Sequence, residues 1–233
     1  MTETTHHAHP AATGFHKFLK EGTQDLHDQA EAGEFQTRMV EGDLARSEFA
    51  SFLTQMLHLH GEIDSIYDGA AEKDCRFASI YDSTAHKRHH LIQKDLQELG
   101  VETFSPAFEV TTAFTDTVRN SLSTLPISVL GVLYVKEGAT NGNKVVLKKI
   151  QATLGLSENC ATGYMDPHGM KQRKRWNQFK RDLNELDLTV EEQESCLGVA
   201  RRSFSMFMEI SGSVSKQFDL EQPEASLHLG SKE

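Results

Sequence analysis

The sequence predicts an all-α protein, and three observations carry that expectation. Apolar residues recur with the 3.6-residue period of an amphipathic helix along most of the chain. The prolines, Pro10, Pro106, Pro126, Pro167 and Pro223, leave long intervals in which nothing forbids a helix interior. Strand signals are nearly missing, because the one Asn-Gly pair, Asn141-Gly142, falls inside a helical stretch instead of between two alternating runs.

In chain order, the first helix is carried by Phe15, Phe18, Leu19, Leu26 and Ala30. A near-continuous i, i+3, i+4 stripe follows at Phe49, Phe52, Leu53, Met56, Leu57, Ile63, Ile66 and Tyr67. The segment from Ile80 to Leu99 is polar but helix-compatible, and Phe104, Phe108, Phe114, Val118 and Leu122 mark another helix. An apolar helical pattern runs from Val129 to Ile150. Trp176, Phe179, Leu183 and Leu186 carry the next helix, and Leu197, Ala200, Phe204, Phe207, Met208, Val214 and Phe218 the last. Thr189 with Glu192 three residues on is a capping-box start for it. No repeat or composition shift marks a second unit, so one domain is expected over 15–218. A disordered tail is expected at 1–14 and a polar tail at 219–233.

At 233 residues and 38% hydrophobic content the chain can bury a core without staples. Cys75, Cys160 and Cys196 are an odd, widely spaced set, which argues against a disulfide framework or a cysteine zinc site and for a reducing cytoplasm. The N-terminal residues lack the basic and apolar regions of a secretory signal. No apolar run is long enough to span a bilayer, and the mean hydropathy of -0.47 agrees, so a soluble protein without a membrane partner is expected. Its 24 Lys+Arg against 34 Asp+Glu give a net charge of -10, which disfavours nucleic acid as a partner. The 12 histidines are about twice average usage.

Two segments carry candidate chemistry. On a helix, His27 shares a face with Lys20, Thr23, Ala30 and Glu31. A neutral imidazole is a good axial ligand for heme iron, and a lysine two turns away can reach a heme propionate; the plainer alternative is a surface histidine. The second segment is Leu133-Tyr134-Val135-Lys136-Glu137-Gly138-Ala139-Thr140-Asn141-Gly142-Asn143. Two glycines four apart in a helix cost stability, so something should compensate. Either a flat object lies against the bare backbone, or another helix packs tightly there.

The run Leu19 to Glu31 resembles the first-helix motif of heme oxygenases, and Leu133 to Asn143 resembles the glycine-bearing distal helix of that family, most closely its bacterial, phytochrome-associated branch. Ala85 to Leu96 is similar to the family's middle helix, and Leu183 to Thr189 to the turn before its last helix. The matches keep their order from Leu19 to about Phe218.

The resemblance implies a single-domain helical bundle with heme b, both cofactor and substrate, between the first helix and a bent distal helix. It makes His27 the proximal ligand and Lys20, Thr23, Glu31 and Tyr134 its surroundings. It makes Gly138 and Gly142 the distal platform and Lys180 a propionate anchor. Lys180 belongs to a basic island, with Arg175 among its members, whose readings are propionate binding, docking of an acidic donor such as ferredoxin, or a solvated face. The implied reaction takes O2 and electrons, from ferredoxin or an NAD(P)H-dependent reductase, and yields biliverdin, CO and Fe2+. A monomer or homodimer is expected.

Two departures stand out. The position after the first glycine, often an Asp that orders the proton-delivering water, is Ala139, and the second glycine of the usual Gly-Gly pair is Asn143. Asn141, Asn143 or Thr140 are the candidates to hold that water instead. Ala139 also motivates an alternative, a heme carrier or sensor without turnover. A third reading is a di-metal oxidase, built on the helical spacing of His86, His89 and His90 with Asp82 and Glu62. His60, on the apolar stripe, reads as a core histidine, and His6, His7 and His9 as tail residues.

Overall fold

A computed structural model describes residues 14–157 and 160–221 of the chain. Ten α-helices follow in order among them: α1 (Gly14–Glu31), α2 (Glu34–Glu41), α3 (Arg46–Lys73), α4 (Cys75–Ile80), α5 (Ser83–His86), α6 (His89–Glu98), α7 (Glu109–Thr124), α8 (Leu130–Thr153), α9 (Gln172–Glu185) and α10 (Val190–Glu221). Short 3-10 turns, Pro126–Val129 and Gly169–Lys171, lead into α8 and α9. No strand occurs among the described residues. The expected tail at 1–13 lies outside them, as does 222–233. Gly14 is the first residue of α1, and α10 continues past Phe218 to Glu221.

The apolar stripe of α3 forms the centre of the core. Phe49, Phe52, Leu53, Met56, Ile63 and Tyr67 are fully buried there, with α6 and α7 against one side. The long α10 closes the bundle by packing on α1 and α8. Its start is built as expected: Thr189 N donates to Glu192 Oε2 at 2.9 Å, and Glu192 N donates to Thr189 Oγ1 at 3.2 Å. Glu192 also pairs with Arg76, which bonds Asp74 as well, so α4 is tied to α10 through one guanidinium.

Three expectations are corrected. The polar segment from Ile80 to Leu99 is two helices, α5 and α6, instead of one, because side-chain carboxylates capture backbone N–H groups inside it. Asp82 accepts from Thr84 N, and Asp64 of α3 accepts from Arg88 N and His89 N, both at 2.9 Å. The helix marked by Phe104 and Phe108 begins only at Glu109. Buried Gln55 holds the preceding loop extended, accepting from Phe108 N at 2.8 Å and donating to Pro106 O at 3.0 Å. Finally, α2 was not anticipated: its buried pair Phe35 and Met39 is only one turn of pattern, and Gly42, at φ 80°, ends it.

Candidate functional site

The face of α1 that carries His27 divides at its edge. Lys20, His27 and Glu31 are exposed, whereas Ala30 and Thr23 are buried, Thr23 at 2% exposure. The Thr23 hydroxyl donates to Leu19 O at 2.8 Å and faces the Tyr134 hydroxyl of α8. Thr23 and Tyr134 are thus committed to the contact between α1 and α8, and burial raises the pKa of the Tyr134 phenol. One turn beyond Thr23 comes His27; one and two turns beyond Tyr134 come Gly138 and Gly142.

The His27 side chain is 48% exposed. Its Nδ1 lies 3.8 Å from both Asp28 Oδ1 and Glu31 Oε2, which leaves Nε2 as the nitrogen without an acidic neighbour. The ring edge packs on Phe204 of α10, centroids 5.9 Å apart. Phe204 was read as core stripe, and nothing in its spacing distinguished it from its buried neighbours.

The glycines of α8 divide by their surroundings. A Cβ on Gly131 would stand 2.3 Å from Cys196 O and 2.6 Å from Ala200 N, so this glycine allows α8 and α10 to touch backbone to backbone. Gly138 and Gly142 do no such work. A Cβ on Gly138 would meet only Trp176 Cη2 at 3.7 Å, and one on Gly142 would meet nothing within 4 Å. Tight helix packing therefore does not explain this pair. Helix α8 runs unbroken through both, at the cost of about 1 kcal/mol for each interior glycine. Ala139 is exposed, and Asn141 and Asn143 are half-buried. Thr140 is buried, with its hydroxyl donating to Lys136 O at 2.8 Å, so its one O–H is already committed.

Trp176 of α9 borders this platform. Its ring meets His16 of α1 at 5.8 Å and Tyr134 at 6.2 Å, and Lys180 Nζ lies 5.6 Å over it. Burial, then the nearby Lys180 and Lys20, hold the His16 imidazole down at about 4. Lys180 is itself lowered, first by burial and then by Lys20, Arg173 and Arg181. Lys20 and Lys180 thus form a cationic corner, and neither pairs with a carboxylate among the described residues. Arg175 is not brought to it. It points the other way from α9, 3.7 Å from Asp82, and lines a separate depression of about 310 Å3 with His168 and Lys171.

The spacing behind the di-metal reading is not adopted. His86 ends α5, and His89 and His90 begin α6, with the Lys87-Arg88 elbow between them. His86 Nδ1 accepts from Asp82 N, and Glu62 pairs with Arg119. Among the described residues, the His, Asp and Glu side chains close enough to share an ion are His27, Asp28 and Glu31, all exposed. His60 is buried as expected, 3.5 Å from Asp64.

Beneath the platform helix lies a charged group that the sequence did not disclose. Arg88 Nη2 and Lys136 Nζ lie 3.2 and 3.3 Å from Glu137 Oε1, all buried. Burial, then Arg88, press the Lys136 ammonium down to about 7. Arg88 and Glu137 are 49 residues apart, so no local spacing pairs them.

The heme oxygenase family profile matches residues 13–212. The chain belongs to the heme oxygenase family. It is similar to rat heme oxygenase 2, 24% identical over 208 residues that make up 87% of this chain and 66% of the rat protein, just under two thirds of that relative's length. Among solved structures it resembles the heme oxygenase of Leptospira interrogans, with a TM-score of 0.78 at 20% identity, covering 86% of this chain and all of that one. It also resembles a Synechocystis heme oxygenase-2 solved in complex with heme and NO, with a TM-score of 0.83 at 18% identity over 93% of this chain and 91% of the other. The likeness to these structures establishes the all-α heme oxygenase fold. No helix among the described residues is long and apolar enough to cross a membrane.

Proposed function

We infer that this family member binds heme between α1 and α8 and cleaves it, with O2 and electrons, to biliverdin, CO and Fe2+. The observation that carries the reading is the bare, unpacked backbone at Gly138 and Gly142, beyond a Thr23–Tyr134 contact that also leads to an exposed imidazole. The residues suit the group: a flat apolar ring needs a face without Cβ atoms, its iron an imidazole nitrogen, and its propionates cations without acidic partners.

Bound heme would supply the iron at which O2 is reduced and the ring that is opened. His27 Nε2, the ring nitrogen without an acidic neighbour, would hold the iron. Lys20 and Lys180 would hold the propionates and so fix how the ring is turned in the site. Thr23 and Tyr134 act one step back by setting α1 against α8. Phe204 packs against the His27 ring. Of the candidates for holding a distal water, Asn141 is about 60° around the helix from Gly138 and Asn143 about 140°, so Asn141 is the better placed. Electrons come from ferredoxin or an NAD(P)H-dependent reductase, docked on exposed Arg173, Lys174 and Arg181 of α9. We also infer a cytoplasmic protein with a single domain over 15–218.

The alternative is a heme carrier or sensor, favoured by one observation: Ala139 offers no hydrogen-bonding group on the platform. The test is to add heme and then ascorbate, or ferredoxin with its reductase. Loss of the Soret band with biliverdin appearing supports the enzyme, whereas a persistent Soret band supports the carrier.

A further inference from the structure

Arg175 is the member of the basic island that the Lys20–Lys180 corner leaves out, and its guanidinium is not engaged elsewhere. Its Nε is buried without a hydrogen-bond partner, and its Nη2 lies 3.7 Å from Asp82 Oδ2, longer than a hydrogen bond. Asp82 is itself occupied at the start of α5, where Oδ1 accepts from Thr84 N at 3.0 Å and from Thr84 Oγ1 at 2.7 Å. Arg175 stands half-buried in the wall of the depression of about 310 Å3, a volume at the lower end of small-molecule sites. His168 and Lys171 share that wall, with Thr84, Ala85 and Pro167 opposite in charge to nothing. His168 Nε2 is likewise buried without a partner, and the exposed Lys171 ammonium pairs with no carboxylate among the described residues.

The three side chains meet because His168, Lys171 and Arg175 follow one another at helical spacing through the 3-10 turn Gly169–Lys171 into α9. That places the depression at the N-terminal end of a 14-residue helix, whose backbone dipole adds positive character. Neither Asp82 nor Asp166 is among the residues that line it. Two cations, a ring nitrogen and a helix N-terminus therefore converge on one cavity without a carboxylate in its wall. A guanidinium N–H taken from water needs an acceptor, and an oxyanion is the acceptor this set of donors suits. We propose that the depression is a binding site for a phosphate or phosphomonoester, held by Arg175, Lys171 and His168. One guanidinium fork satisfies a planar carboxylate, whereas the oxygens of a phosphoryl group point in several directions and take hydrogens from three side chains at once. Burial, then Arg88 and Arg175, hold the His168 imidazole down at about 4, and the neutral ring donates when its proton is on Nε2. The site is separate from Lys20 and Lys180, so it takes phosphate whether or not the chain cleaves heme.

Calorimetric titration of the full chain with inorganic phosphate, and separately with adenosine monophosphate, tests this at an ionic strength held constant with sodium chloride. Phosphate should bind saturably at a single site, and the Arg175 Nε–H resonance in nitrogen-edited NMR spectra should shift along the same curve. Arg175→Ala should weaken binding by about tenfold or more, the loss expected for a hydrogen bond to a charged group. Arg173→Ala removes the same charge from the same helix outside this depression and should leave phosphate affinity unchanged. Tighter binding of adenosine monophosphate than of phosphate assigns the site to a phosphomonoester, and equal or weaker binding assigns it to the free anion. If Arg175→Ala does not fold, Lys171→Gln, at an exposed and unpaired position, should show the same loss. No saturable binding of either compound, an Arg175 resonance that stays in place, or an equal loss in Arg173→Ala overturns the proposal. None of these measurements involves biliverdin formation, so a chain that fails to cleave heme would leave the phosphate site standing.

Discussion

Arg88 and Glu137 form an ion pair across the interior, Nη2 to Oε1 at 3.2 Å, with 1% of either side chain exposed. The pair anchors α8, immediately before Gly138, to the elbow between α5 and α6. Glu137 also holds Lys136, so removing Glu137 strands two buried cations, whereas removing Arg88 leaves Glu137 a partner. Glu137→Ala should therefore cost about 3–5 kcal/mol of unfolding free energy, and Arg88→Met less. Urea titrations of both variants check this, and equal losses would show that Lys136 does not hold the Glu137 charge.

The glycines of α8 should respond in opposite directions. Gly142→Ala meets no atom and removes a helix-interior glycine, so the heme-free protein should gain about 1 kcal/mol while its heme affinity falls. Gly131→Ala drives a methyl into the α10 backbone and should destabilise by at least about 1–3 kcal/mol, with heme affinity changed only through folding. Thermal melts with and without heme separate the two.

How much of this was legible in the sequence depends on range. The 3.6-residue stripes of α1, α3, α9 and α10, and the Thr189–Glu192 cap, are local patterns and stand as read. The breaks between His86 and His89 and before Glu109 are made by Asp64 and Gln55, 24 and 53 residues from the N–H groups they bond, and leave no local mark. The site follows the same rule. His27, Lys20, Gly138 and Gly142 could be picked out by type and spacing. That Thr23 faces Tyr134, that Arg175 leaves the Lys20–Lys180 corner, and that Trp176 borders the platform are consequences of how the helices pack.

Acid should weaken the fold through its buried histidines. His86 is held at about 3, mainly by burial and then by Lys136, and His16 and His168 at about 4, each first by burial. Below about pH 6.5 the unfolded chain takes up protons that the folded one refuses, so stability falls with pH until the folded values are reached. His86 alone should cost about 1.4 kcal/mol per pH unit between about pH 6.5 and 4. Stability measured across that window should decline less steeply in His86→Gln. An unchanged slope would mean that the imidazole is not held neutral.

If His27 holds the iron of a heme on the Gly138–Gly142 platform, its imidazole sets the absorption spectrum of the complex. Heme titration of His27→Ala, followed by absorption and repeated with added imidazole, decides this. The histidine-ligated spectrum should be lost in the variant and return when imidazole takes the place of the side chain. A histidine-ligated spectrum that survives in His27→Ala without imidazole would overturn the assignment.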